Sequence, residues 1–407
     1  MGFNPLAEKG IPIEKQLRDW SELNVHPYDK EQVDPYTRTR IITMNGVEIE
    51  SIIFSRQFAR RTDNQEIKRA LALTRRIEQQ QQKAVNWLTP GEETTLEVTI
   101  GYEQTAVDLT AYIARAEPDP YLKQTFELGL IEDSDHLYRY ANLLALLEGK
   151  KAERITGPLT EIMPGRPTVA EHRHPFDDIR AHYDKNTVDP LSRLHVMTIT
   201  AAEQQTLNFY MNMGARYIEP LARALYLEIA MIEEQHVTQY ESLLDPLESW
   251  FQQEVYHHYN ECYLYHSFMS QESDLRIRAI WELHLNMEIE HLRVACEMMR
   301  RHEGIEAEEI LPKELPEPTL FQEDKQYVRQ VLAEQVELRT VRTQFVPLDQ
   351  LPEDAKYFEY QDAVNGGGFA PSERVIEEQV NASGDDYRFM PEGPHPVQGL
   401  RRRAPQN

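Results

Sequence analysis

Six residues of this chain have the types and spacing of a metal site, and they come as two copies one hundred residues apart. Glu103 is followed thirty residues later by Asp133-x-x-His136, and Glu203 by Glu233-x-x-His236. Other residues keep the same register: Gln104 and Gln204, Pro120 and Pro220, Tyr140 and Tyr240, and Leu143, Leu144 with Leu243, Leu244. Residues three apart on a helix share a face, so an Asp/Glu-x-x-His pair offers a metal an oxygen and a nitrogen from one turn of backbone. Four carboxylates and two imidazoles neutralise and hold two divalent ions. Such a set suits iron or manganese better than copper or structural zinc, which take fewer or softer ligands. One Glu-x-x-His in an acidic chain usually marks a solvated helix face. Two copies in one register, each with a carboxylate upstream, are a stronger pattern.

The thirty-residue gap requires a hairpin of helices with its turn midway, so that both members of each set lie at similar depth. The sequence supplies the boundaries. Thr89-Pro90-Gly91-Glu92 predicts the start of the first helix, with an N-cap, a first-turn proline and a capping-box glutamate. Asp119 and Pro120 predict the start of the second, which stops near Gly149. Asp189-Pro190 repeats that start for the third, reaching about Gly214, and the fourth runs from Pro220 to Asp245-Pro246. Residues 150–188 form a long connection between the hairpins, and its His172, His174 and His182 are read as surface polar residues.

At these residues the chain resembles the ferritin-like superfamily of di-iron carboxylate proteins, over roughly residues 90–245. The resemblance implies a mainly α fold: a ferritin-like four-helix bundle over 89–245, with an N-terminal extension (1–88), an additional helical hairpin (246–303) and a helix with an irregular tail (304–407). It implies the ligands Glu103, Asp133 with His136, Glu203, and Glu233 with His236, with Glu233 bridging the ions. The departure is Asp133, where the family usually has Glu; the neighbouring Glu132 is the alternative ligand. Gln104, Tyr140, Gln204 and Tyr240 are candidates for supporting the ligands by hydrogen bonds, because the repeat keeps them. Tyr102, beside Glu103, is read as a packed ring rather than a redox-active one. The implied cofactor is two iron ions, with manganese or a mixed pair as variants, and the implied chemistry is oxidoreduction of dioxygen or peroxide. Ferroxidation with iron storage is the alternative, and a non-catalytic helical scaffold the second. Ferritin chains are compact, whereas this one carries about 90 residues before the bundle and about 160 after it.

A second, weaker set lies in the following hairpin: Glu254-x-x-His257 and Glu288-x-x-His291, with His284 on the face of the latter. It is read as an alternative metal site or, more simply, as packed amphipathic helices. "RIITMNGVEIESIIF" (Arg40 to Phe54) alternates around Asn45-Gly46 and predicts a β-hairpin, and Asn64 to Leu88 predicts a helix. A further helix is expected over Phe321 to Thr343, then a flexible "AVNGGGFAPSE" loop and an extended tail with Arg401 to Arg403 as a possible docking peptide.

Composition bounds the rest. The net charge of −25 argues against non-specific nucleic-acid binding, and no apolar run of membrane-spanning length occurs. No basic-then-apolar leader opens the chain, so cytoplasm is the default expectation. Cys262 and Cys296 are read as buried small residues, so reductive turnover needs a separate electron donor. A homo-oligomer, most simply a dimer, is expected.

Overall fold

The computed structural model describes residues 2–401 and is 65% helix, with 14 α-helices among the described residues. In chain order these are α1 (Trp20–Leu23), α2 (Pro35–Arg61), α3 (Gln65–Asn86), α4 (Thr95–Ala116), α5 (Pro120–Glu148), α6 (Glu153–Thr156) and α7 (Pro190–Gly214). There follow α8 (Pro220–Glu241), α9 (Trp250–Gln271), α10 (Leu275–Glu303), α11 (Ala307–Ile310), α12 (Lys325–Gln335), α13 (Lys356–Asn365) and α14 (Pro371–Ser383). No helix among the described residues is long and apolar enough to cross a membrane.

The eight long helices follow one another in four consecutive pairs, α2–α3, α4–α5, α7–α8 and α9–α10. The second helix of each begins at a side-chain cap that satisfies free backbone N–H groups of the first turn. Asn64 accepts from Glu66 N, Asp119 from Tyr121 N and Leu122 N, Glu219 from Ala222 N, and Asp274 from Arg276 N and Ile277 N. Those caps stand 55, 100 and 55 residues apart.

The chain divides into two compact units built from separate stretches. The first takes the described residues up to Glu92, then 183–205 and 244–320; the second takes 93–182, 206–243 and the described residues from Phe321. In the first unit α2 packs on α3 and α9, and α9 packs along α10. Phe54, Phe58, Ile67 and Leu71 form a buried cluster there. In the second unit α4 lies along α5, and α5 packs on α8, α12 and α14. Its larger core runs from Leu96 and Ile100 through Leu143 and Ile229 to Leu332 and Val375. Each such side chain taken from water contributes about 1.5–3 kcal/mol. Helices α4 and α5 are buried on nearly every side because the C-terminal segment covers what would otherwise be their outer face.

Four expectations are corrected. Arg40 to Phe54 is helical, inside α2, and not a β-hairpin. Asn45 and Gly46 are buried: Asn45 bonds Gln82 and Gln205, and a Cβ on Gly46 would stand 2.9 Å from Ala201 O. The glycine therefore serves close helix packing rather than a turn. The helix expected to open at Thr89 is α4 and starts at Thr95, because Thr94 with Glu97 completes a capping box five residues after the predicted one. The helix expected over Phe321 to Thr343 is the shorter α12, followed by an antiparallel pair, β1 (Leu338–Val341) and β2 (Gln344–Pro347). Finally, the segment before Arg401 is packed: Tyr387, Phe389 and Leu400 lie on the second unit's core, and Phe389 bridges Ile162. Arg402 and Arg403 of the expected docking peptide lie outside the described residues.

Candidate metal centre

In the second unit Glu103 on α4, Asp133 and His136 on α5, and Glu233 and His236 on α8 come together, each at most 1% exposed. Glu233 lies between the imidazoles. Its Oε1 is 3.1 Å from His136 Nδ1 and its Oε2 is 3.2 Å from His236 Nδ1. The outer nitrogens are held by two further carboxylates: His136 Nε2 donates to Glu171 Oε2 at 2.9 Å, and His236 Nε2 to Glu132 Oε2 at 2.7 Å. A neutral imidazole that donates from Nε2 presents a lone pair at Nδ1. Two lone pairs facing each other at that distance repel unless a cation stands there, either a proton or a metal ion. Without metal it is a proton: burial opposes charge on His136, but Glu171 and Glu233 outweigh it and raise its pKa well above the usual range.

Glu132 and Asp133 divide the work. Arg166 Nη1 and Arg173 Nη1 donate to Glu132 Oε1. Burial pushes the Glu132 carboxyl up, yet Arg173, His236 and Arg166 hold it well below the ordinary range. It therefore faces the arginines and the outside of His236. Asp133 faces the cluster, its Oδ1 3.6 Å from His236 Nδ1 and its Oδ2 accepting from Thr110 Oγ1. Burial pushes the Asp133 carboxyl up to about 7.

Arg166, Glu171 and Arg173 all come from the connection after α5, and spacing gives no clue to them. Asp135 fixes that segment, accepting from Gly165 N, Thr168 N, Thr168 Oγ1 and Arg139 Nε. Of its histidines, His182 is exposed and His174 half-buried, but His172 is buried, 3.7 Å from Glu228, contrary to the surface reading.

Glu103 Oε1 accepts from the Tyr210 hydroxyl, and its buried Oε2 has no hydrogen-bond partner. Burial drives the Glu103 carboxyl well above its ordinary range. The ring at this carboxylate is Tyr210; Tyr102 stacks on Phe209 at 4.6 Å. Tyr140 packs on Tyr210 and Tyr226, and the Tyr240 ring lies 6.2 Å from His236. Gly129 makes room for Tyr240, since a Cβ there would meet its hydroxyl at 2.0 Å. Gln104 turns away from the cluster and donates to Thr156 O and Thr160 Oγ1; Gln204 is half-buried on α7. Glu203 is buried on α7, seven residues before Tyr210 and so on the same face of that continuous helix.

The first unit holds a second cluster. Glu78 on α3, His258 on α9, and Glu288 and His291 on α10 offer ligand atoms all within 4.8 Å of one another, every residue buried. His257 is not among them: its ring packs tilted against Phe54 at 4.5 Å, and burial lowers its pKa to about 3. Glu254 is buried with its Oε1 3.7 Å from His258 Nε2, on the outer side of that ring. A 55-residue offset links the two units. Glu48, Glu78 and Gln81 match Glu103, Asp133 and His136; His258, Glu288 and His291 match Glu203, Glu233 and His236. The offset was open to reading in the sequence, but Gln81 stands where a histidine is expected and His258 where a carboxylate is expected. Tyr265 likewise matches Tyr210, and its hydroxyl donates to Glu48 as Tyr210 donates to Glu103.

Comparison with protein-family models, curated proteins and solved structures finds no match to this chain.

Proposed function

We propose that the second unit is a dinuclear metal centre of the ferritin-like, di-iron carboxylate kind, set in a four-helix bundle of α4, α5, α7 and α8, and that it reduces dioxygen or peroxide. One observation carries the reading: Glu233 stands between two Nδ1 atoms whose partner Nε2 atoms are each fixed by a further buried carboxylate. Metal-bound histidines are oriented in this way, by a carboxylate on the outer nitrogen. The residues also fit two ions in number. Glu103, His136 and Glu233 offer atoms within 4.8 Å of one another, and so do Asp133, Glu233 and His236, so Glu233 is common to both groups. Glu103 Oε2 and Asp133 Oδ1 are buried without hydrogen-bond partners, a cost of about 1–3 kcal/mol each that coordination removes.

Glu103, Asp133, His136, Glu233 and His236 would hold two iron ions, or manganese in one or both places, which would supply one electron each to dioxygen or peroxide. The chain's own groups set the conditions. Glu132 and Glu171 keep both imidazoles aimed inward and make them more basic donors. Tyr210 holds Glu103 through its hydroxyl and places a proton 107 residues along the chain beside that carboxylate. Burial keeps bulk water from the site. Electrons for repeated turnover come from a separate donor.

The test is metal analysis of protein purified without chelator, followed by oxygen and peroxide consumption after anaerobic Fe(II) loading. About two ions per second unit are expected, lost in Glu233→Ala together with oxygen consumption. Full metal retention in that variant would contradict the reading, and metal binding without oxygen or peroxide consumption would leave the centre but remove the reaction.

A further inference from the structure

We infer that the first unit is a separate metal site, and that it binds a single divalent first-row transition ion through Glu78, His258, Glu288 and His291. The inference does not rest on the reading of the second unit, because none of these residues belongs to that cluster.

The geometry starts with Glu288. Its Oε1 is 2.9 Å from His291 Nδ1 and its Oε2 is 3.1 Å from His258 Nδ1. The outer nitrogen of His291 donates to Gln16 Oε1 at 2.6 Å, leaving a lone pair at Nδ1. Gln16 is itself fixed, donating to Ile11 O at 2.7 Å. His258 turns its Nδ1 inward in the same sense, 3.5 Å from Glu78 Oε1 and 3.0 Å from Glu261 Oε2. The His291 Nδ1 lone pair meets a carboxylate and the His258 Nδ1 meets three, Glu78, Glu261 and Glu288, an arrangement that asks for a cation, proton or metal ion, between them.

A second observation is independent of that convergence. Glu78 Oε2 is buried without a hydrogen-bond partner, in a residue 1% exposed, and Glu48 Oε2 and Glu261 Oε1 are in the same condition. No lysine or arginine lies within ion-pair distance of Glu78, Glu261 or Glu288 among the described residues; His258 and His291 do, and Arg75 acts on Glu78 only from farther away. In the second unit two arginines answer Glu132. Buried carboxylates persist when paired or bound to metal, and here the set of ligands supplies the means.

The ion count follows from two side chains. Gln81 occupies the register position of His136, and its Nε2 donates to Glu288 Oε1 at 2.8 Å. In this orientation the amide presents its N–H, which cannot ligate a cation, in the direction from which His136 approaches Glu233 in the other unit, while Gln81 Oε1 is buried without a hydrogen-bond partner. The second imidazole comes instead from His258, on α9. As a result both imidazoles and two carboxylates fall in one group within 4.8 Å, whereas in the second unit His136 and His236 fall in different groups. Two nitrogens and two oxygens make a complete four-ligand set for one borderline divalent ion.

The experiment uses the full chain, stripped with chelator and loaded with Co(II), which is redox-stable and coloured. Bound cobalt is counted after desalting in the wild type, in His258→Ala/His291→Ala, and in Glu233→Ala/His236→Ala. The expected result is about three ions per chain in the wild type, about two in the first variant and about one in the second. The remaining ion in the second variant carries a visible absorption band that His258→Ala/His291→Ala removes from the wild-type spectrum. If the alanine pair fails to fold, Glu78→Gln, which keeps volume and deletes one ligand charge, serves in its place and lowers cobalt affinity at least tenfold. Unchanged stoichiometry and spectrum in the first-unit variants overturn the inference. One ion in the wild type that is lost only with the first-unit substitutions supports it while removing the proposal for the second unit.

Discussion

In the second unit a glutamate separates two imidazoles drawn from α5 and α8; in the first a glutamate separates two drawn from α9 and α10. The carboxylate-between-imidazoles arrangement is thus kept although one histidine has changed helix. What differs is the surrounding ring. Around the second-unit pair stand Glu132 and Glu171, with Arg166 and Arg173 compensating Glu132. Around the first-unit pair stand a neutral amide, Gln16, and the more distant Glu254. The helix register brings a carboxylate between two imidazoles in both units, while the side chains around that pair set how strongly it is charged.

The largest effect that separates the units is expected from this outer ring. Arg173→Ala takes one of two arginines from a fully buried carboxylate and should destabilise the protein by roughly 3 kcal/mol. Gln16→Ala deletes neutral hydrogen bonds to His291, Ile11 O and Met287 O and should cost about 2 kcal/mol. Urea unfolding of the two variants checks the ratio, and equal costs would remove the distinction drawn here. Next in size, Glu171→Gln should weaken metal binding in the second unit by about 10–100-fold, leaving the first unit's affinity unchanged, as read by chelator competition.

The two units should agree in their response to pH. Burial pushes Asp133 up to about 7 and Glu78 up to about 8. The pKa values of His136 and His258 are raised as well: burial opposes their charge, but adjacent carboxylates prevail. For all four the folded pKa exceeds the unfolded one, so the stability each contributes is present at low pH and is lost as pH rises through the folded value. Metal-free protein should therefore lose thermal stability as pH rises from about 4, the ordinary carboxylate range, to about 8. Metal-loaded protein should show the reverse slope, because ligation displaces those protons. Thermal melts with and without chelator across that window decide it. The smallest expected effect tests the 55-residue register itself: Tyr210→Phe and Tyr265→Phe each remove one hydroxyl from a single carboxylate, and both should cost about 1 kcal/mol.

Much of this architecture is visible in the sequence, and the part that is not has identifiable causes. Asp119-Pro120 and Gly149 mark the ends of α5 because a cap and a left-handed glycine are local requirements. The 100-residue repeat is visible because both of its copies keep the Asp/Glu-x-x-His pair. The 55-residue repeat is masked by two substitutions, Gln81 and His258, at the very positions a search for ligands weighs most. Asn45-Gly46 reads as a turn only while α2 is imagined exposed; buried on all sides, it has no amphipathic period to betray the helix. Glu171, Arg166 and Arg173 come from an irregular segment, where no period links a residue to the atom it reaches. His257 and His258 illustrate the limit of spacing: an i,i+3 match to Glu254 picks the neighbour that faces Phe54.

The central claim is that each unit positions metal around one glutamate, two ions at Glu233 and one at Glu288. Anomalous diffraction from crystals of the full chain, grown anaerobically with Fe(II) and measured on either side of the iron edge, tests it most directly. The account predicts two iron peaks flanking Glu233, near His136 and His236, and a single peak shared by His258 and His291. Iron bound elsewhere, with clear side-chain density and no anomalous peak beside either glutamate, would contradict it.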